Sequence, residues 1–200
     1  MRIGAMVIVS GLLGAGVSAA EVGPEMERQI TVCMNLGNTQ EIALRARTMA
    51  SEIFLRIGVG IDWRPDGSSC PVANGAIQIT LSDQTLLRDH PGALAYAKPF
   101  EGTHIVVFYD RIRANHDRNH LPCLLAYVIA HEVTHILQRV SCHSQTGIMR
   151  ASWNSANYAD IQNKSLGFTS DDVDRIDAGF AWRQGRRAAA DSTSFAVGSR

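Results

Sequence analysis

The chain has 200 residues, and its 19 lysines and arginines are balanced by 19 aspartates and glutamates. With no net charge and no basic cluster before the tail, the electrostatic case for nucleic acid or an anionic membrane as partner is absent. The length suits one compact domain with a sizeable core rather than two.

Arg2 gives a short positive start, Ile3 to Val17 is apolar or small, and Ser18-Ala19-Ala20 offers small residues for cleavage. This is the layout of a secretory signal peptide over 1–20, too short and glycine-rich for a membrane span. Cleavage is expected after Ala20, with Ala19 the near alternative. It would leave a secreted or periplasmic domain over 21–185, with no membrane contact. The remaining cysteines are Cys33, Cys70, Cys123 and Cys142. An even count behind such a leader reads as two disulfides, with three possible pairings.

Ile30 to Met34 is a short β-type run. From Gln40 to Ile57, Ile42, Ala46, Met49, Ile53 and Ile57 recur at helical spacing, and Gly58 fits a helix stop. Val59, Ile61 and Trp63 alternate with Gly60 and Asp62, a strand closing at Arg64-Pro65-Asp66-Gly67. Ile77, Ile79 and Leu81 give a third strand. Residues 83–99 read as loop with one short helix. His104 to Tyr109 reads as a strand buried on both faces. A polar connection over 115–122 leads to a long apolar helix, Leu121 to Val140. A loop-rich stretch then precedes a last helix from Thr169 to about Arg183, and residues 186–200 read as a disordered tail. If the segment from Leu121 to Arg139 is helical, Cys123 and Cys142 flank a rod of about 25 Å, beyond disulfide reach.

This order predicts an α/β (α+β) domain. A small, mixed, mostly parallel sheet is covered by the first helix on one side and packs on the long helix beneath it.

The chemistry is concentrated on that long helix, in His131-Glu132-Val133-Thr134-His135. Two histidines four apart share one helical face, one turn from each other, where both imidazoles can bind a single metal ion. Zinc suits imidazole ligands and lowers the pKa of water at the metal to about 7. Glu132 flanks the metal without ligating it and can take the proton from that water. Two imidazoles and a carboxylate on a helix otherwise so apolar would cost several kcal/mol of desolvation if they served no purpose.

A catalytic zinc site needs a third protein ligand and an open position. No glutamate follows Glu132, and His143 is the only histidine after the motif. His143 is therefore the preferred third ligand, with Asp160 and a Cys142 thiolate as alternatives. Cys142 is read instead as half of a disulfide that pins the turn.

His131-Glu132-x-x-His135, then His143, then Gly147-Ile148-Met149 resembles a metzincin zinc peptidase. The stretch from Val128 to Trp153 is also similar to a group of poorly characterised secreted bacterial proteins. The resemblance implies a metzincin-like zincin fold, with His131, His135 and His143 as zinc ligands. It also implies Glu132 as general base and Met149 as the apolar floor of the site. Two positions depart from the family pattern. Its glycine and third ligand would fall at Gln138 and Ser141, so His143 comes two residues late. No tyrosine follows Met149 at the spacing some members use, because position 151 is Ala151.

The expected function is zinc-dependent hydrolysis of a peptide or protein substrate, most simply by a metalloendopeptidase. Two alternatives remain. One is a non-catalytic secreted module stabilised by zinc, and the other is a zinc amidase acting on a non-protein cell-wall amide. In metzincin-like folds an edge strand binds substrate in extended form, and the strand Ile105 to Phe108 is expected near the cleft.

Overall fold

The computed structural model describes residues 28–36, 39–67, 70–85, 90–114 and 117–197, with side chains through 186. The signal peptide expected over 1–20 lies outside the described residues.

In chain order the elements are β1 (Gln29–Met34), α1 (Gln40–Leu55), β2 (Gly60–Arg64), β3 (Ile77–Ser82), β4 (Ala95–Ala97) and β5 (His104–Phe108). Four further helices follow: α2 (Tyr109–Ala114), α3 (Leu121–Gln138), α4 (Ser155–Gln162) and α5 (Ser170–Val197). The sheet order is β2-β1-β3-β5-β4. The first four strands in that order are parallel, and β4 alone runs antiparallel, against β5. The mixed, mostly parallel α/β sheet expected from the sequence is thus present.

Alternation along the strands decides which face is covered. Ile30, Val32 and Met34 of β1, Ile77 and Ile79 of β3, and Ile105 and Val107 of β5 are buried on one face. On the other face Thr31, Gln78 and Val106 are only half-buried and Thr80 is exposed. Helices α1 and α3 pack against each other and share one apolar core with the buried strand face. Both therefore lie on the same side of the sheet. This corrects the expectation of a helix on each side, and of a β5 buried on both faces.

Helix α3 is buried at every one of its positions. Its length and composition would suit a membrane span, but here it fills the interior of the fold. The close approach of α5 explains part of this burial. A Cβ on Gly179 would lie 1.9 Å from the Leu137 carbonyl oxygen, so only glycine allows the two backbones to pass so near.

Three elements escape the sequence pattern. β4 stands where a short helix is expected, and its alanines carry no strand preference. α2 begins at Tyr109, inside the run read as strand. Its Asp110 carboxylate accepts hydrogen bonds from the Thr85 backbone N–H (3.0 Å) and hydroxyl (2.7 Å). α4 starts at a reciprocal cap, in which Asn154 Oδ1 accepts from Asn157 N and Asn157 Oδ1 accepts from Asn154 N.

Two further expectations are corrected. Cys33 bonds to Cys70, but Cys123 and Cys142 are free. The Cys123 thiol is buried at the start of α3 and donates to the Ile161 carbonyl, whereas Cys142 is exposed beyond the far end of that helix. Cys142 does not pin the turn. Helix α5 also continues through Val197, past its expected end near Arg183, so most of the stretch 186–200 is helical rather than disordered. Three successive alanines after Arg187, with no proline, favour that extension.

Candidate metal centre

His131 and His135 lie one turn apart on the buried α3. The Nδ1 atom of His131 lies 2.8 Å from the Ile148 carbonyl oxygen, and that of His135 lies 2.9 Å from the Val140 carbonyl oxygen. A carbonyl oxygen only accepts, so each Nδ1 must carry the proton. Each Nε2 is then left with a lone pair, and these two Nε2 atoms face one another at 3.1 Å. Two acceptors aimed at each other form a site that a shared metal cation would suit. Tetrahedral zinc with bonds of roughly 2.0–2.1 Å would separate such ligand atoms by about 3.3 Å, close to what is seen.

His143 completes the set. Its ring lies 5.3 Å from that of His131 and 4.9 Å from that of His135, centroid to centroid. The ligand atoms of the three histidines fall within 4.8 Å of one another. Asp160 and Cys142 are not part of this cluster. Asp160 sits on α4 with its carboxylate beside the Ser165 hydroxyl, and the Cys142 thiol is exposed.

The late arrival of His143 has a local cause. Helix α3 runs through Gln138, where the family pattern would place a stopping glycine, and ends at Arg139 in the left-handed region (φ 57°, ψ 36°). The guanidinium of Arg139 stacks on the Trp182 ring with 3.3 Å to its centroid. The turn therefore starts one residue later than the pattern and is made by a residue with a Cβ.

Glu132 points between the motif helix and β4. It is 7% exposed, and burial pushes its carboxyl up to about 8, against the lowering effect of a hydrogen bond from the Ala97 backbone. Burial likewise pushes His131 down to about 4, with its Ile148 hydrogen bond opposing and the neighbouring imidazoles adding. These are properties of the metal-free arrangement. A bound dication would favour the neutral imidazoles and the ionised carboxylate.

The segment Gly147-Ile148-Met149-Arg150 lies under His131. Met149 is buried, and its carbonyl accepts from the Ser144 backbone N–H at 2.8 Å, holding the turn against the ligand loop. Gly147 is required here. Its φ is +75°, and a Cβ would lie 2.6 Å from the Gly167 carbonyl oxygen.

One supporting residue has no place in the sequence reading. Asp172, in the first turn of α5, is fully buried. Its carboxylate accepts from the Ser144 hydroxyl (2.5 Å), the Thr169 hydroxyl (2.7 Å) and the Thr169 backbone N–H (3.1 Å). Its backbone carbonyl accepts from the Gln138 side chain at 3.0 Å. Asp172 thus ties the end of α3 to the residue that follows His143. A Thr-x-x-Asp cap at the head of α5 is the only trace of this in the sequence.

The centre opens into a cleft of about 630 Å³. β4 borders it, through Ala95, Tyr96 and Ala97, and Leu94, Val128, Trp153 and Tyr158 supply further apolar wall. The strand at the cleft is therefore the antiparallel edge β4, and β5, expected there, is interior to the sheet.

No protein-family model matches the chain, and no curated protein matches it. Among solved structures, the crystal structure of archaemetzincin from Methanopyrus kandleri is similar over 80% of this chain and 99% of that one. The TM-score is 0.53 at 14% identity, so the likeness establishes a shared, metzincin-like fold and nothing finer.

Proposed function

We propose that the chain is a zinc-dependent hydrolase of peptide bonds, acting through His131, His135, His143 and Glu132. The observation that carries this reading is the pair of unprotonated Nε2 atoms facing each other at 3.1 Å, with a buried carboxylate on the adjacent residue and a cleft beside them. A zinc ion held by the three imidazoles would polarise the scissile carbonyl and make a nearby water acidic.

The remaining steps belong to the chain. Glu132, next to the first ligand and buried beside the cleft, takes the proton of the attacking water and passes it to the leaving amine. The Ile148 and Val140 carbonyls fix the tautomers and orientation of the two helical histidines, as second partners of ligating imidazoles do. The buried Met149 would serve as the apolar floor of the site and exclude water from below. β4 is paired with β5 on one side only, so no strand covers its other edge, where the Ala97 backbone bonds to Glu132. An extended peptide can pair with such an edge, which favours a polypeptide substrate over a compact cell-wall amide.

A closed structural zinc site would need a fourth protein ligand. Among the described residues no fourth histidine, cysteine or carboxylate joins the cluster, which favours the catalytic reading over a purely structural one. The buried Cys33–Cys70 disulfide agrees with an oxidising, secreted or periplasmic setting.

The test is metal content and peptide turnover of the purified protein. Wild type should hold about one zinc per chain and cleave an unfolded protein substrate. Glu132→Gln should keep the metal and lose at least about 100-fold in rate. His143→Ala should lose both. Wild-type turnover by Glu132→Gln, or full zinc content in His143→Ala, would overturn the assignment of the corresponding residue.

A further inference from the structure

Resting on that hydrolase reading, we infer that Arg150 recognises a carboxylate, so that the peptides taken carry an acidic side chain or a free C-terminal carboxylate near the scissile bond. The charge inventory of the cleft leads here. Among its described lining residues Glu132 is the only carboxylate, and it is committed to proton transfer. Arg150 is the only guanidinium or ammonium. No carboxylate among the described residues forms a salt bridge with Arg150.

Arg150 is also held in place. Its backbone N–H donates to the Gly147 carbonyl at 3.3 Å, and it forms a bridge with Ser144, the neighbour of His143. One guanidinium nitrogen donates to Asn157 Oδ1 at 3.0 Å, the same oxygen that caps α4. A neutral amide oxygen orients a guanidinium without cancelling its charge. It takes one of five N–H donors and leaves the others for a bidentate partner.

The position fits substrate contact. Two residues earlier, the Ile148 carbonyl accepts from His131 Nδ1, and three residues later, Trp153 Nε1 approaches the same carbonyl at 3.3 Å. The Trp153 ring stands 5.9 Å from the His131 ring. Arg150 is thus anchored to the turn that orients a metal ligand. Its side chain can reach a carboxylate one or two residues from the bond cut, at about 3.5 Å per extended residue. The apolar neighbours Leu94, Val128 and Trp153 reduce competition from water, which strengthens a charge pair. A role limited to steadying α4 through Asn157 would not distinguish one peptide from another.

Binding separates this assignment from catalysis. Zinc-loaded full-length Glu132→Gln would be titrated, by fluorescence anisotropy, with fluorescein-labelled octapeptides. Glu is moved through each position, each peptide is paired with its Gln counterpart, and each is made as free acid and C-terminal amide. At least about tenfold tighter binding is expected for Glu over Gln at one position, or for acid over amide, and the two arms tell the sources apart. Arg150→Gln should remove that difference while zinc content and thermal midpoint stay unchanged. Equal affinities within every pair, no binding by any peptide, or a preference that survives Arg150→Gln would overturn the assignment. The same peptides with wild-type protein report the hydrolase reading independently. Cleavage without carboxylate preference keeps the enzyme and removes the role of Arg150. Carboxylate-dependent binding without cleavage does the reverse.

Discussion

Asp172 would act on the proposed zinc site from a distance, through the residue beside His143. Its two carboxylate oxygens are engaged by Ser144 and Thr169, inside the protein, where an unsatisfied partner would be costly. Asp172→Asn keeps the shape but replaces one acceptor oxygen with a donor amide. The expected result is at least about tenfold weaker zinc binding, of the size seen when outer partners of metal ligands are changed. A cobalt-substituted sample should show an altered visible spectrum, which general destabilisation alone would not produce. An unchanged spectrum and affinity would limit Asp172 to capping α5. The imidazoles themselves predict a pH effect in the metal-free chain. Burial lowers the His131 pKa to about 4 and lowers that of His135 as well, whereas an unfolded chain titrates near 6.5. The unfolded state therefore binds protons first. This contribution to stability is complete above about pH 6.5 and is lost as pH falls toward about 4, at up to about 1.4 kcal/mol per unit for His131. Glu132, raised to about 8 by burial, acts with the opposite sign over the same range, so the check is made in Glu132→Gln. Urea midpoints of the chelator-treated variant at about pH 7 and about pH 5 check the sign, and a midpoint that rises on acidification would refute it. The clustering of the three histidines was legible because helical spacing and a short motif bring them together locally. Asp172 was not, because its partner Ser144 is 28 residues away and no periodicity links them.

At the scale of elements, the contact between α3 and α5 controls where the ligand helix lies. Gly179→Ala would place a methyl 1.9 Å from the Leu137 carbonyl oxygen, a clash with backbone that no rotamer can relieve. The helices must then separate, at an expected cost of about 2–3 kcal/mol despite alanine's better helix propensity. Chemical denaturation would register this, and an equal or higher midpoint for the variant would mean that α5 is not seated as described. The sequence showed both helices through their apolar spacing, but an ordinary-looking glycine in α5 carries no sign of what it touches. The same distinction explains β4 and α4. A three-residue strand of alanines and tyrosine has no pattern of its own, and its existence depends on β5 offering a partner. The Asn154–Asn157 cap was visible in principle, yet the helix it starts is short and buries only Ile161 fully.

For the molecule as a whole, the one-sided sheet sets both stability and access. The Cys33–Cys70 bond spans 37 residues and ties β1 to the loop after β2. Opening it, by Cys33→Ala with Cys70→Ala, should cost about 3–4 kcal/mol on loop-closure grounds. Thiol titration of native protein should find one accessible thiol, Cys142, and a second, Cys123, only after unfolding. Four thiols after unfolding without reductant would contradict the disulfide. The mostly parallel character of the sheet was legible, because a helix precedes Val59 and can serve as a crossover, but the strand order was not. Which side the helices chose was not, because Thr31, Gln78 and Thr80 read as ordinary polar alternation until the covered face is known.

The exposed, polar side of the sheet is also a practical handle. Thr80 stands there, across the sheet from the helices, the metal centre and the cleft. A thiol placed at Thr80 in a Cys142→Ser background would let the protein be tethered to a bead or sensor chip by its back. The cleft would then face the solution, whereas coupling through Cys142 itself would press the mouth of the cleft against the support.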